Sequence, residues 1–285
     1  MAERYDPRVT AARPDLAARY LEGKVAAARF VDGIACEVLD AQAPVRGVPA
    51  LDAPLVTEAL RGERVTVYEQ TDEGWCWGQL DGDGYVGWLP ANALGTPGPQ
   101  PTHKVVAVRT LVYPAPMVKQ PPIGALSMGA RLAVRTVEAE FAALGNGYVP
   151  ASHLAGLDHA ERDFVDVAER FTGTPYLWGG KTSLGIDCSG LVQMSLNAAG
   201  IGCPRDSDMQ EQTLGASVTP APGFTNLQRG DLMFWKGHVA IVADSKTIVH
   251  ANAFHMAVAI EPLAGAVARI RAAGSELTSV KRIET

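Results

Sequence analysis

The chain has 285 residues, of which 47% are hydrophobic and 20% charged, an ordinary globular composition with enough apolar content for a sizeable core and too much for disorder. That length suggests about two domains, with room for three small ones. Lys and Arg number 25 against 31 Asp and Glu, a net charge of −6 with no basic run; this surface argues against nucleic acid or anionic membrane as a partner, and no apolar stretch approaches the roughly 18–20 residues that span a bilayer.

The first 32 residues read as an N-terminal helical arm, on a weak pattern of Ala and Leu interleaved with charge between Val9 and Val25. Met1-Ala2-Glu3-Arg4-Tyr5-Asp6-Pro7 shows no basic segment leading into an apolar one, so the expectation is a cytoplasmic protein. Its four cysteines, Cys36, Cys76, Cys188 and Cys203, include no CxxC pair and are expected as free thiols.

Residues 33–96 carry the signals of a small all-β barrel. Arg64-Val65-Thr66-Val67-Tyr68 alternates with period two, Asp72-Glu73-Gly74 turns, and Trp75 to Leu80 alternates again. After the turn Asp81-Gly82-Asp83-Gly84 comes a third strand, Tyr85-Val86-Gly87-Trp88-Leu89-Pro90. Thr96 to Pro101 is a Pro- and Gly-rich linker. Residues 102–157 repeat the pattern in degenerate form, with Gly147-Tyr148-Val149-Pro150 echoing the third strand.

From residue 160 the pattern changes. A helix is expected from Glu161 to Phe171, ending at Thr172-Gly173, and a second, buried helix after Asp187-Cys188-Ser189-Gly190, with Gly200 just past its end. Three apolar runs, 232–235, 239–243 and 247–250, read as consecutive antiparallel strands. Helices followed by strands imply an α+β domain over 160–285.

Cys188 is the candidate nucleophile. It opens a helix, where unpaired N–H groups and the macrodipole favour a thiolate and could hold an oxyanion. Cys203, between the Gly200 stop and Pro204, lacks that setting. Among six histidines, His103, His153, His159 and His255 read as surface residues, whereas His238 and His250 fall on adjacent strands. If Asp244-Ser245-Lys246 is a three-residue hairpin loop, 243 pairs with 247 and 240 with 250. His238 then lies opposite Asn252 and diagonal to His250 on one face, and a one-residue slip would separate them. A thiol, an imidazole and a third polar group that orients it make a nucleophilic set. Zinc is set aside because Cys188 has no CxxC or HxxxH companion, and nothing else calls for a cofactor.

Tyr176-Leu177-Trp178-Gly179-Gly180, Asp187-Cys188-Ser189-Gly190, Gly237-His238-Val239-Ala240-Ile241 and His250-Ala251, in that order, resemble the NlpC-type cell-wall cysteine peptidases. Strands ending in Gly-Tyr-Val-Gly-Trp resemble bacterial SH3-like domains. The resemblance implies a circularly permuted papain-like peptidase domain behind two small SH3-like barrels. It makes Cys188 the nucleophile, His238 the general base and His250 the residue that orients the imidazole. Within this family the pattern is similar to the γ-D-glutamyl-L-diamino-acid endopeptidases, which act on murein tripeptides or tetrapeptides with a free N-terminal L-Ala. On that likeness Tyr176 joins the oxyanion hole. Asp187, Ser189, Tyr85 and Trp178 bind substrate, and Glu58 or Glu63, with Glu58 favoured, adds a carboxylate for the substrate ammonium. Two other readings compete: a wall-binding module without activity, and an acyltransferase that passes the thioester to an acceptor other than water.

Overall fold

Period-two alternation builds most of the N-terminal half of the protein. The computed structural model describes residues 5–283 and separates two units, Met1–Leu157 and Asp158–Thr285.

In the first unit, β1 (Ala17–Ala18) and β2 (Phe30–Val31) pair in parallel within the N-terminal arm. Next come β3 (Ile34–Val38), β4 (Gln42–Arg46), β5 (Leu55–Leu60), β6 (Arg64–Gln70), β7 (Trp75–Leu80), β8 (Val86–Pro90) and β9 (Leu94–Gly95). These seven form one sheet in the order β5-β4-β8-β7-β6-β3-β9. Its core holds Val38, Val45, Val65, Leu80, Tyr85 and Leu89.

The arm is not the helix its composition suggested; within the described residues it holds only a 3-10 turn over Arg19–Leu21, and residues 1–4 lie outside the description. Pro14 and the positive φ of Gly23 interrupt any helix, and packing decides the rest. Ala11, Leu16, Ala18 and Leu21 cover Trp75, Trp77, Val86 and Trp88, while the Arg13 guanidinium lies 4.4 Å from the Trp77 ring and 4.9 Å from that of Trp88. A segment too short to hold a helix alone has adopted the irregular, turn-rich path that the barrel's aromatic face accepts.

Residues 103–156 follow as β10 (His103–Val105), β11 (Arg109–Val112), β12 (Gly124–Ser127), β13 (Arg131–Leu132), β14 (Thr136–Glu138), β15 (Phe141–Ala143), β16 (Tyr148–Pro150) and β17 (Leu154–Gly156). They form three small sheets rather than one, around Val105, Leu126, Ala130, Leu132 and Val149.

The second unit starts with α1 (Phe164–Arg170), whose N-cap Asp163 accepts from the Val165 N–H at 2.8 Å; this cap sets the start three residues later than the charge pattern implied. The hairpin β18 (Lys181–Thr182) and β19 (Gly185–Ile186) leads into α2 (Cys188–Ala198), and α3 (Ser207–Thr213) comes next. Gly200, with φ +77°, ends α2: its N–H and that of Ile201 donate to the Asn197 and Leu196 carbonyls. Then come β20 (Ala216–Ser217), β21 (Asp231–Trp235), β22 (His238–Val242), β23 (Thr247–Asn252), β24 (Ala257–Pro262), α4 (Leu263–Ala272) and β25 (Leu277–Arg282). Six of these strands form a sheet ordered β20-β25-β21-β22-β23-β24. Met233, Ala240, Val242 and Ile248 pack with Leu263, Ala266 and Val267 of α4, and α1 and α2 pack against the strands as well. The unit is α+β, as the order of elements implied.

Candidate active site

Cys188 is the first residue of α2 and 6% exposed. Its N-cap is Asp187, one of whose carboxylate oxygens accepts from the Gly190 N–H at 2.7 Å. Gly190 permits a close approach: a Cβ there would lie 2.3 Å from the Gly180 carbonyl oxygen, so the loop carrying Gly179 and Gly180 can sit against the helix mouth only over a glycine.

The hairpin between β22 and β23 has the register its loop length dictates. Ile241 pairs with Val249 and Val242 with Ile248, and the Asp244 carboxylate accepts from the backbone N–H groups of Lys246 and Thr247. His238 and His250 therefore share a face, and their Nε2 and Nδ1 atoms lie 2.8 Å apart. The Val239 backbone N–H, one residue beyond His238, reaches the Cys188 sulfur.

Burial sets the charge of these groups. It pushes the Cys188 thiol up to about 12, with the Asp187 carboxylate adding to the rise and the Val239 N–H, Arg205 and Ser189 N–H opposing it. The helix mouth was expected to lower this thiol, but desolvation outweighs it. Burial pushes His238 and His250 each down to about 3, reinforced by His250 for the first and by Arg269 for the second. The resting pair is thus driven toward neutral thiol and neutral imidazole.

Those two histidines also set a pH response. Unfolded, each takes a proton near its ordinary 6.5; folded, neither does until about 3. Between those limits the unfolded chain binds more protons, so the stability held above pH 6.5 is lost as pH falls through that window. The urea midpoint is expected to drop between pH 7 and pH 4, and to drop less in His250→Gln. A midpoint unchanged over that range would show that the imidazoles are not held neutral.

Tyr176 sits half-buried in the loop before β18, and its N–H donates to the Met256 carbonyl at 2.9 Å. Burial raises its phenol, with Cys188 and Asp187 adding to the rise, so it stands as a neutral hydroxyl within electrostatic reach of the thiol. Trp178 of the same loop is 65% exposed.

For Asp187 and Ser189 the structure corrects the expected role. Both Asp187 oxygens are taken: Arg205 Nη1 and Nη2 donate to Oδ1 and Oδ2 at 2.9 and 2.8 Å, and the Gly179 N–H donates to Oδ2 at 2.8 Å. Arg205 Nη1 also donates to the Ser189 hydroxyl at 2.9 Å, and Arg205 is itself 1% exposed. With its charge met by a buried guanidinium, the Asp187 carboxylate is a cap and an ion-pair partner, not an open socket for an ammonium. Arg205 lies outside every motif, and only its position two residues after Cys203, just before the N-cap of α3, could have suggested it. Tyr85 and Glu58 belong to the first unit, Tyr85 in the barrel core and Glu58 buried on β5 opposite Pro44.

The rival thiol Cys203 is buried; its sulfur lies 3.4 Å from the Pro204 carbonyl and 3.4 Å from Gln210 Nε2. His103 and His153 are half-buried beside the threonine hydroxyls of Thr102 and Thr110, each at 2.8 Å, and His159 lies 3.6 Å from Glu161. Sequence reasoning missed Glu261, whose Oε1 lies 2.7 Å from His250 Nε2 and also accepts from Arg269. Among the described residues His250, His255 and Glu261 are close enough to share a metal ion, but the Arg269 guanidinium already occupies that carboxylate.

Residues 45–94 match the bacterial dipeptidyl-peptidase SH3 domain family and residues 173–274 match the NlpC/P60 family. A γ-D-glutamyl-L-lysine dipeptidyl-peptidase of Bacillus cereus is 26% identical over 241 residues, covering 73% of this chain and 71% of that protein. Dipeptidyl-peptidase 6 of Lysinibacillus sphaericus is 40% identical over 96 residues, 33% of this chain, and the match spans only 34% of that relative. An NlpC/P60 family protein of Bacillus cereus superposes with a TM-score of 0.73 at 22% identity, over 87% of this chain and 99% of that one, a likeness of fold.

Proposed function

We propose that this chain, which carries an NlpC/P60 peptidase domain behind a bacterial SH3 domain, is a cysteine peptidase that cleaves the γ-D-glutamyl bond to the diamino acid of murein peptides with a free N-terminal L-Ala. The observation that carries the reading is a helix-opening thiol touched by the N–H of Val239, the residue after His238, whose ring is hydrogen-bonded to that of buried His250. The names of the Bacillus and Lysinibacillus relatives support the choice of bond.

With thiol and imidazole both neutral at rest, attack and proton transfer are coupled. As Cys188 Sγ bonds to the γ-carbonyl carbon of D-Glu, its proton passes to His238 Nδ1, the ring nitrogen that the His250 contact leaves available. The Cys188 N–H, unpaired at a helix N-terminus, and the Tyr176 hydroxyl receive the oxyanion. The C–N bond breaks and His238 hands its proton to the leaving amine. Water, deprotonated by His238, then opens the thioester, releasing L-Ala-γ-D-Glu and restoring the thiol. His250 holds the His238 ring in place throughout.

Cys36, Cys76, Cys188 and Cys203 stand as free thiols, which suits a reducing compartment, and we place the activity in the cytoplasm, on soluble peptides recovered from the wall. No described helix is long and apolar enough to cross a membrane.

The test compares L-Ala-γ-D-Glu-diaminopimelate with its N-acetylated form. The free peptide is expected to be cleaved about a hundredfold faster or more, a discrimination of roughly 3 kcal/mol in favour of the free ammonium. Equal rates on the two peptides would replace this reading with a general wall-lytic hydrolase, and no cleavage of either would reject the bond assignment.

A further inference from the structure

The catalytic reading leaves one part of the buried polar network without a task. His250 is 1% exposed, and both of its ring nitrogens are engaged: Nδ1 with His238 Nε2 at 2.8 Å and Nε2 with Glu261 Oε1 at 2.7 Å. Glu261 reaches it through strand register. His250 pairs with Ala259 across β23 and β24, and Glu261, two residues further along β24, returns to the same face. The same Glu261 Oε1 also accepts from Arg269 of α4, whose guanidinium is stacked 4.2 Å from the Phe254 ring.

We propose that Glu261, held by Arg269, is a positioning residue that sets the direction of every hydrogen bond in the His238–His250 pair, and so the tautomer in which His238 meets the thiol. The inference rests on the catalytic reading above and adds to it the group that decides which nitrogen carries each proton. A neutral imidazole has one N–H and one lone pair, so a chain of two can run either way. A carboxylate in an ion pair can only accept. His250 Nε2–H therefore donates to Glu261, its Nδ1 is left bare and accepts from His238 Nε2–H, and His238 Nδ1 keeps the lone pair that takes the Cys188 proton. With a donor in place of Glu261 the chain reverses, and His238 presents an N–H where a base is needed. The Arg269 guanidinium makes that choice firm by keeping the carboxylate turned toward His250.

Glu261→Leu tests this, because it removes the one oxygen to which both His250 Nε2 and Arg269 are bonded and leaves a donor, the Arg269 guanidinium, in its place. The expected result is a fall in kcat of about a hundredfold or more on L-Ala-γ-D-Glu-diaminopimelate, with KM changed less than about threefold and a cooperative thermal melt retained. In the ¹⁵N spectrum of the histidine side chains, His238 Nδ1 should move from the bare to the protonated position. Glu261→Gln, which keeps an acceptor oxygen for both partners, should recover most of the rate. A His238 tautomer unchanged in Glu261→Leu would overturn the proposal whatever the rate, and so would wild-type kcat in that variant. Cys188→Ala and His250→Ala, assayed beside it, separate this from the reading beneath: activity in those two rejects the catalytic set, whereas their inactivity beside a fully active Glu261→Leu rejects only the role of Glu261.

Discussion

Cys188→Ala is expected to reduce turnover of L-Ala-γ-D-Glu-diaminopimelate by about 10⁴-fold or more while leaving the folded structure in place. Removing the nucleophile from a set that acts as a unit costs nearly as much as removing the whole set. The thiol is buried at the helix mouth and meets the backbone N–H groups of Val239 and Ser189, so its loss removes a small volume and no charge. Cys203→Ala is expected to keep full activity, because that sulfur is occupied near Pro204 and Gln210. The measurement is steady-state kinetics with a thermal melt of each variant. Turnover by Cys188→Ala near the wild-type rate would remove the thiol from the chemistry.

Arg205→Ala should produce the largest loss of stability. The guanidinium donates to both Asp187 oxygens, to the Ser189 hydroxyl and to the Gly180 carbonyl, all in a buried setting. Truncating it leaves the Asp187 carboxylate buried without its counter-charge, a defect worth roughly 3–5 kcal/mol, and frees the loop that aligns the first turn of α2. A fall of that size in the unfolding free energy is the expected result of a urea titration. The activity that remains should fall as well, because the helix mouth that orients Cys188 loses its anchor. A variant within about 0.5 kcal/mol of wild type would mean that Asp187 is satisfied without Arg205, and would reopen it as a receptor for the substrate ammonium.

The parts of the fold that could be read from the sequence are those where local pattern and global packing agree. The strands at 64–70 and 75–80 alternate visibly, Gly200 ends α2 where it stands, and the 244–246 loop length sets the register that joins His238 to His250. Where tertiary contact overrides local tendency, the text was misleading. The arm reads as helical from its alanines yet packs as irregular turns on Trp75, Trp77 and Trp88. The site divides in the same way. Cys188 and the two histidines are marked by position on elements, but Arg205 and Glu261 act through partners far along the chain and sit in no motif. Asp187 is the instructive failure: an acidic residue beside a nucleophile has the spacing of a substrate contact, and only the buried arginine 18 residues later shows that its charge is already spent. The helix-mouth argument for an acidic thiol failed for a related reason, since a sequence displays the helix start but not the depth of burial.

The proposed chemistry runs through a thioester between Cys188 and the γ-carboxyl of D-Glu, formed by a neutral thiol with His238 as its base. Its most direct test is to mix the enzyme with L-Ala-γ-D-Glu-diaminopimelate, quench in acid within the first turnover, and map the protein by mass spectrometry. The predicted result is an L-Ala-γ-D-Glu adduct on the fragment containing Cys188 and on no other cysteine, appearing before free dipeptide does. Dipeptide release with no adduct on Cys188, or an adduct on Cys203 instead, would contradict it.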